Sequence, residues 1–292
     1  MTEQLNRVQQ LLREINHAHN VEFTLRERCH GGVIGAWLVT DPAGRRAILK
    51  SNNGMAHRIA RHPTLVDRIR AAGYPTPAWL AAGVTPDGTA YHVMDFVTGE
   101  PMSTSPLTGR MAARFVEIIE GQVGLDPDPV QDWSRGARAC AFAEDDSGRR
   151  PMLRRIGRTG VDLIEHFDAL LAPYKELGLP SGDLVHGDFN TCNVLAQDGR
   201  VTGIIDVEAC GSGTRAVDYA WLLREAYVRT AEPDAITTIR LGGEAVAGPG
   251  VLAICAAATA FDITCFRHDH DPDSLPQLLP GLHRLADALQ HG

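Results

Sequence analysis

Leu5, Val8, Leu12 and Ile15 recur at helical spacing near the start of the chain, which predicts an amphipathic helix over 3–18. The pattern then changes to that of strands. Two strand-like runs, 21–29 and 34–40, are joined by His30-Gly31-Gly32. A turn at Asp41-Pro42-Ala43-Gly44 leads into a third strand, Arg46 to Leu49, which ends on Lys50. Residues 55–71 read as one helix, stopped by Gly73 and by Pro75-Thr76-Pro77. Strands at 78–83 and 90–95 flank the turn Thr85-Pro86-Asp87-Gly88 and complete a five-stranded lobe with one inserted helix.

From about 106 the period is helical, with helices expected at 108–122, 133–143, 150–172 and 216–230. A strand pair at 193–196 and 201–205, turned by Asp198-Gly199, interrupts them. The tail, 233–292, holds two or three more helices, broken at Pro249 and at His268-Asp269-His270-Asp271-Pro272. The expected fold class is therefore α+β: a strand-rich lobe over 1–95, a connector at 96–100 and a mainly helical lobe over 101–292. No repeat or low-complexity linker divides it further.

Apolar residues make up 44% of the 292 and charged residues 22%, enough core material to exclude a mainly disordered chain. The first residues, Met1-Thr2-Glu3-Gln4-Leu5-Asn6-Arg7, lack the apolar run of a signal peptide, and the apolar stretch Val251 to Phe261 is too short to span a bilayer. A cytoplasmic location is the expectation. Six scattered cysteines form no C-x-x-C pair and no zinc pattern; Cys192 and Cys210 read as small packing residues.

Charge is distributed unevenly. Residues 1–95 hold 11 Lys+Arg against 8 Asp+Glu, and residues 96–292 hold 17 against 28. A basic front half suits a polyanion such as a nucleotide, and an acidic back half suits a cationic acceptor. No basic stripe for nucleic acid is present. Only Lys50 and Lys175 are lysine, against 26 arginines, a habit of GC-rich genomes that makes a lysine in a special position notable.

The segment Val185-His186-Gly187-Asp188-Phe189-Asn190-Thr191-Cys192-Asn193-Val194-Leu195 carries the strongest chemical signal. It sets an aspartate five residues before an asparagine, on a loop between a helical region and a strand. One loop can then aim both side chains into one cavity: the carboxylate to orient a hydroxyl and take its proton, the amide oxygen to ligate Mg²⁺. The hairpin that follows delivers Asp206 from the end of an apolar strand, placed as a second metal ligand.

His186-Gly187-Asp188, then Asn193, then Ile204-Ile205-Asp206-Val207-Glu208 resemble the aminoglycoside phosphotransferase and choline kinase family. The order of elements extends the resemblance over most of 20–230, while the motifs themselves lie in 183–222. The resemblance implies a protein-kinase-like two-lobe fold, with Asp188 as catalytic base and Asn193 and Asp206 as magnesium ligands. It makes His186 a brace of the catalytic loop, and Asp218, in Val217-Asp218-Tyr219, the aspartate that ties the following helix back to that loop; helix capping is the plainer role of Asp218.

Lys50, at the end of the third strand, fits the lobe's phosphate-binding lysine. The turn containing Gly31 and Gly32 lies where a nucleotide-covering loop belongs, its glycines letting backbone N–H groups approach phosphate. Met94, Asp95 and Val97 of the connector are expected to present backbone groups to a purine, ATP or GTP. Glu208 is a candidate for a second metal or for the acceptor, with a solvated turn as the alternative. Asp262, inside an apolar helix, either meets an arginine or faces the acceptor cleft.

The sequence departs from the family pattern twice. The lysine usually pairs with a glutamate on the next helix, but no glutamate occurs between Lys50 and Tyr91, so the pair is absent, or Asp67 or Glu100 substitutes, or the helix register differs. The common Gly-Asp-Pro appears as Gly213-Thr214-Arg215. The expected function is a Mg²⁺-dependent kinase moving the γ-phosphoryl of ATP or GTP to a hydroxyl of a small molecule. The acidic helical lobe and the composition favour an antibiotic, aminoglycoside-type or another actinomycete product, with resistance as the outcome. Alternatives are a metabolic alcohol such as choline or homoserine, and a nucleotide-binding pseudokinase with a regulatory role. After Asp206 the next helix begins within about ten residues, which leaves no long activation segment for a protein substrate.

Overall fold

A computed structural model describes residues 2–29, 35–52, 54, 56–59, 61–102, 107–126, 132–229 and 231–291. In chain order the first elements are α1 (Thr2–His19), β1 (Thr24–Arg28), β2 (Ala36–Thr40), β3 (Arg46–Ser51), α2 (Ala56–Ile59), α3 (His62–Ala71), β4 (Trp79–Val84), β5 (Ala90–Asp95) and β6 (Glu100–Pro101). There follow α4 (Gly109–Glu120), α5 (Trp133–Phe142), α6 (Arg150–Ile156), α7 (Arg158–Leu171), β7 (Asp183–Val185), β8 (Val194–Gln197), β9 (Arg200–Ile204), β10 (Gly211–Gly213), α8 (Ala216–Val228), α9 (Pro233–Ala247), α10 (Pro249–His270) and α11 (Leu275–His291). The chain divides into two compact units, Met1–Glu100 with Leu195–Glu208, and Pro101–Val194 with Ala209–Gly292.

The first unit is built on an antiparallel sheet of order β1-β2-β3-β5-β4. Side chains alternate faces along a strand. Ala47 and Leu49 of β3, with Tyr91 and Val93 of β5, point to one face and form a core with Val8, Leu11, Leu12 and Ile15 of α1. Lys50 and His92, directly opposed across β3 and β5, therefore share the other face with Ile48 and Met94. The Leu195–Glu208 segment belongs to this unit. Its two-residue turn has positive φ at Asp198 (53°) and Gly199 (74°), the conformation of a tight hairpin turn, and so fixes the register that delivers Asp206.

The expected single helix over 55–71 is two helices, α2 and α3. Pro63 stands in the first turn of α3, where it needs no N–H partner; continued through this point, one helix would lose a backbone bond and meet the proline ring.

The second unit is helical. Leu153, Leu163, Phe167, Leu171, Ile254 and Phe261 belong to one core shared by α5, α6, α7, α10 and α11. Within α10, every residue from Val251 to Phe261 is buried. The helix is long and apolar enough to cross a membrane by composition alone, yet its apolar surface is mostly spent on packing inside the unit. The helix expected over 150–172 is also two. Gly157, at φ 100° and ψ −151°, ends α6 and opens α7 in a conformation open essentially to glycine alone, so the apolar period runs through a break it does not reveal.

Candidate active site

The catalytic-loop candidate lies in the second unit. β7 carries the chain in, paired with β10, and Leu184 and Val185 are fully buried. The loop is then seized by α8. Asp218 is wholly buried, and its carboxylate accepts the backbone N–H of His186 at 2.7 Å and of Gly187 at 3.0 Å, with Gln122 Nε2 donating at 3.0 Å. Burial pushes the Asp218 carboxyl pKa up, opposed by His186 and these donors. His186 is buried edge-on to Phe189, and its Nδ1 accepts the N–H of Asp188 at 3.2 Å. Both residues therefore sit as props against the loop.

Asp188 and Asn193 are brought together. Asn193 Nδ2 donates to the backbone O and to Oδ2 of Asp188, both at 2.9 Å, and Asn190 Nδ2 donates to Oδ1 at 2.9 Å. Each carboxylate oxygen is thus fixed by one amide. Burial raises the pKa of Asp188, and His186 and the two amides oppose the rise. Because the Asn193 amide nitrogen is turned to Asp188, its Oδ1 is left as an oxygen donor for a cation.

Gly187 has φ 79°, and a Cβ there would lie 2.2 Å from Trp133 Cζ2, so an indole wall packs directly on the loop backbone. Trp133 Nε1 is itself held by Ala209 O at 2.9 Å. The Gly213-Thr214-Arg215 departure also has a local role. Arg215 forms 2.9 Å ion pairs with Asp183 and Glu120 at the entrance to α8, and Thr214 N–H donates to Ser134 Oγ at 2.8 Å.

A second constellation lies in the first unit. Lys50 Nζ forms an ion pair with Asp206 and lies 3.0 Å from Glu208 Oε1. Asp206 adopts φ 63°, a left-handed conformation uncommon for a residue with a side chain, directly before the single helical turn Val207–Ala209. Glu208 is neither on a helix after β3 nor a solvated turn residue. It supplies the glutamate partner of Lys50 from the far end of the β8–β9 hairpin, so Asp67 and Glu100 are not needed in that role. Burial lowers the Lys50 pKa, but the two carboxylates outweigh it and hold the ammonium above its ordinary range. Glu208 is likewise held well below the usual carboxylate range: its burial is overcome by His92 and Lys50.

In the connector, Met94 is buried, Asp95 N–H is bonded to Ala78 O at 2.9 Å, and Phe96 N–H to Arg46 O at 3.2 Å. The Arg46 guanidinium lies over the Phe96 ring, and Asp95 pairs with Arg45. Among the described residues the N–H of Val97 meets no backbone acceptor outside regular elements. Gly31 and Gly32 lie outside the described residues. Asp262 meets an arginine: its Oδ1 is 2.7 Å from Arg149 Nε. Cys210 is buried as expected, but Cys192 is exposed, its N–H tied to Asn190 Oδ1 at 2.9 Å in a turn that leaves the thiol outside.

Asn193, in the second unit, presents an amide oxygen, and Asp206, in the first, a carboxylate. These hard oxygen donors suit Mg²⁺ and lack the nitrogen and sulfur that a zinc site uses. Among the described residues no group of three or more His, Cys, Asp or Glu is arranged to hold a metal.

Two functional contacts escaped the sequence reading. Glu225 accepts from Thr191 N–H at 2.9 Å and from Thr191 Oγ1 at 2.5 Å, and its spacing of seven from Asp218 was the available signal. His92 Nε2 lies 3.2 Å from the same Glu208 Oε1 that Lys50 contacts, and only the strand register places it there.

An antiparallel five-stranded unit that pairs its strand lysine with Asp206, and a helical unit with an Asp-Asn loop clamped by α8, define a phosphotransferase of protein-kinase-like architecture. The profile of the phosphotransferase enzyme family matches residues 26–254, and the chain belongs to that family, whose members phosphorylate hydroxyl groups. The fold is similar to that of a thermostable mutant of aminoglycoside phosphotransferase APH(4)-Ia in ternary complex with AMP-PNP and hygromycin B, with TM-score 0.68 and 16% identity over 92% of this chain and 95% of that one. Macrolide 2'-phosphotransferase MphH from Brachybacterium faecium is similar at TM-score 0.57 and 16% identity, over 97% of both chains. An aminoglycoside phosphotransferase from Alicyclobacillus acidocaldarius follows at 0.54 and 18%, over 96% and 94%. No curated protein matches by sequence.

Proposed function

We propose that the protein transfers the γ-phosphoryl group of ATP or GTP to a hydroxyl of an antibiotic, in the cytoplasm, with Mg²⁺ as cofactor. The observation that carries this reading is the Asp188 carboxylate, held by Asn190 and Asn193 in a loop that two carboxylates of α8 keep in place. Fixed in this way, Asp188 accepts the hydrogen bond of an incoming hydroxyl, orients its oxygen and takes its proton as the new bond forms. Its raised pKa makes it a better proton acceptor than an exposed carboxylate while leaving its geometry unchanged. Lys50 supplies the positive charge for the nucleotide phosphates, with Glu208 keeping the ammonium in place. Mg²⁺, ligated by Asn193 Oδ1 and the Asp206 carboxylate, would neutralise charge on those phosphates. Catalysis is then mostly positioning and electrostatics.

On this reading 1–95 is the nucleotide-binding lobe, 96–100 the connector and 101–292 the acceptor-binding lobe. Met94, Asp95 and Val97 face the purine, with the Val97 N–H as donor. Aminoglycoside and macrolide phosphotransferases among the similar structures support an antibiotic acceptor over choline or homoserine. A lysine without a glutamate partner would favour a regulatory pseudokinase, and the bond between Lys50 and Glu208 supports the enzyme instead.

The test incubates the purified protein with Mg²⁺, ATP or GTP, and a panel of hydroxylated antibiotics and metabolic alcohols, and seeks products heavier by one phosphoryl group by mass spectrometry. A product that Asp188→Ala abolishes, with nucleotide still bound, is the expected result. Undiminished turnover in that variant would sink the assignment, and nucleotide binding with no product from any acceptor would return weight to a regulatory role.

A further inference from the structure

His92 is buried at 4% exposure on the face of the sheet that carries Lys50, and the two residues are direct cross-strand partners. Opposed residues on one face of an antiparallel pair are close enough for their side chains to act on a common group. Here the group is Glu208: Lys50 Nζ lies 3.0 Å and His92 Nε2 3.2 Å from the same Oε1. The His92 ring is not free to turn away. It stacks on Trp79 at 4.2 Å between centroids and 11° between planes, and Trp79 lies in turn against His62 at 5.7 Å and 17°. His62 is buried and anchored through Nδ1 to Arg58 O at 2.9 Å.

We propose that His92 is a positioning residue for the phosphate-binding lysine: through Glu208 it supplies, from within the sheet, the anchorage that a helix glutamate would otherwise provide. A glutamate reaching Lys50 from a loop has rotamers to choose among. A rigid second partner on the same oxygen selects one of them, so that the ammonium is aimed before nucleotide arrives. The stack of Trp79 and His62 supplies that rigidity. The absence of any glutamate between Lys50 and Tyr91 means that no helix side chain of that type competes for the lysine.

This inference rests on the nucleotide-site reading of Lys50, and the experiment separates the two. Binding of Mg²⁺–ATP, with Mg²⁺–GTP in parallel, is measured by calorimetry for the wild type, His92→Phe, His92→Gln, Lys50→Ala and the Lys50→Ala/His92→Phe double variant. Phe keeps the stacking on Trp79 but has no N–H, whereas the Gln amide can still donate. His92 Nε2 meets the Glu208 carboxylate as a 3.2 Å polar contact and not as an aligned hydrogen bond, and losing a contact of this kind costs about 1 kcal/mol, so His92→Phe is expected to weaken nucleotide binding about fivefold. His92→Gln should stay within about threefold of wild type, and in the Lys50→Ala background His92→Phe should add almost nothing. Equal binding by His92→Phe and wild type overturns the positioning role alone. So does a loss that is the same with Lys50 present or absent, since a merely structural histidine behaves that way. A wild type that binds neither nucleotide overturns the nucleotide-site reading and this inference with it.

Discussion

Asp218 and Glu225 stand seven residues apart on α8 and hold opposite ends of one loop. The first accepts the N–H groups of His186 and Gly187; the second accepts the N–H and hydroxyl of Thr191. Seven residues are close to two helical turns, so both carboxylates project from one face of the helix. Asp188 lies in the span between the two clamps. A rigid helix thereby sets the shape of a loop that has no regular structure of its own, which is what a residue that orients a substrate hydroxyl requires.

Asp218→Ala removes the acceptor for two backbone donors in a fully buried position. Leaving buried donors unpaired costs on the order of 3 kcal/mol. The expected result is a lower thermal midpoint together with loss of turnover. Asp218→Asn keeps one acceptor oxygen and should fall between the two, and Glu225→Gln should be milder still, because its amide oxygen can still accept from Thr191. Melting curves and single-turnover assays of the three variants check this ranking. An Asp218→Ala protein that melts and turns over like wild type would show that the loop does not depend on α8.

Much of this arrangement was legible in the chain itself. Asp188, Asn193 and the Asp198-Gly199 hairpin are local: their spacing alone states which groups one loop can present. The alternation that buries Ala47 and Leu49 also puts Lys50 on the opposite face. What escaped was nonlocal or hidden in backbone conformation. Lys50 and Glu208 are 158 residues apart, and no periodicity links them. The helix breaks at Pro63 and Gly157 lie inside unbroken apolar patterns, because the residues on either side continue to face the same core. The helix-glutamate rule led to Asp67 and Glu100 because it looks along the chain after the lysine, whereas the carboxylate arrives from a hairpin that folds with the first unit.

Gly187→Ala should disable the loop by two routes. A side chain at φ 79° costs about 1–2 kcal/mol, and its Cβ would lie 2.2 Å from the indole of Trp133. Trp133→Ala combined with Gly187→Ala relieves the second effect and leaves the first. Turnover is expected to be lost in the single variant and partly restored in the double, with nucleotide affinity little changed in both, since Lys50 belongs to the other unit. Wild-type turnover in Gly187→Ala would contradict the loop geometry.

Acid stability has an identifiable contributor in the second unit. Glu144 is bonded to Arg154, and Arg150 Nε lies 2.8 Å from its Oε1; Arg150 also makes bonds of 2.8 and 2.7 Å to Asp168. Arg154 first, then Arg150, depress the Glu144 carboxyl from its ordinary 4.5 to about 2. A folded-state pKa below the unfolded one contributes stability that is complete above about 4.5 and is lost as pH falls toward 2. Glu144 is 54% exposed, so solvent screening keeps the effect small, and Glu144→Gln should lower the thermal midpoint by about 2 °C at pH 7. The gap between the two proteins should close as pH approaches about 2. A gap that persists unchanged in acid would place the effect elsewhere than in the carboxylate's charge.

Thiol chemistry offers a probe of the catalytic loop without altering its acid. Cys192 is exposed, Cys29 and Cys140 are half-buried, and Cys210, Cys255 and Cys265 are buried. Burial also pushes the thiols of Cys29, Cys140 and Cys255 up, and that of Cys265 up to about 11, which keeps them as poorly nucleophilic thiols near neutrality. A disulfide reagent should therefore titrate one thiol quickly in the native protein and the others slowly or only on unfolding. The fast thiol sits between Asn190 and Asn193, the two amides that hold Asp188, so a bulky adduct there should abolish turnover. Cys192→Ser should lose the fast phase, keep turnover and become insensitive to the reagent. Inactivation that proceeds at the same rate in Cys192→Ser would assign the sensitivity to another cysteine and would show that the loop tolerates a modified side chain at 192.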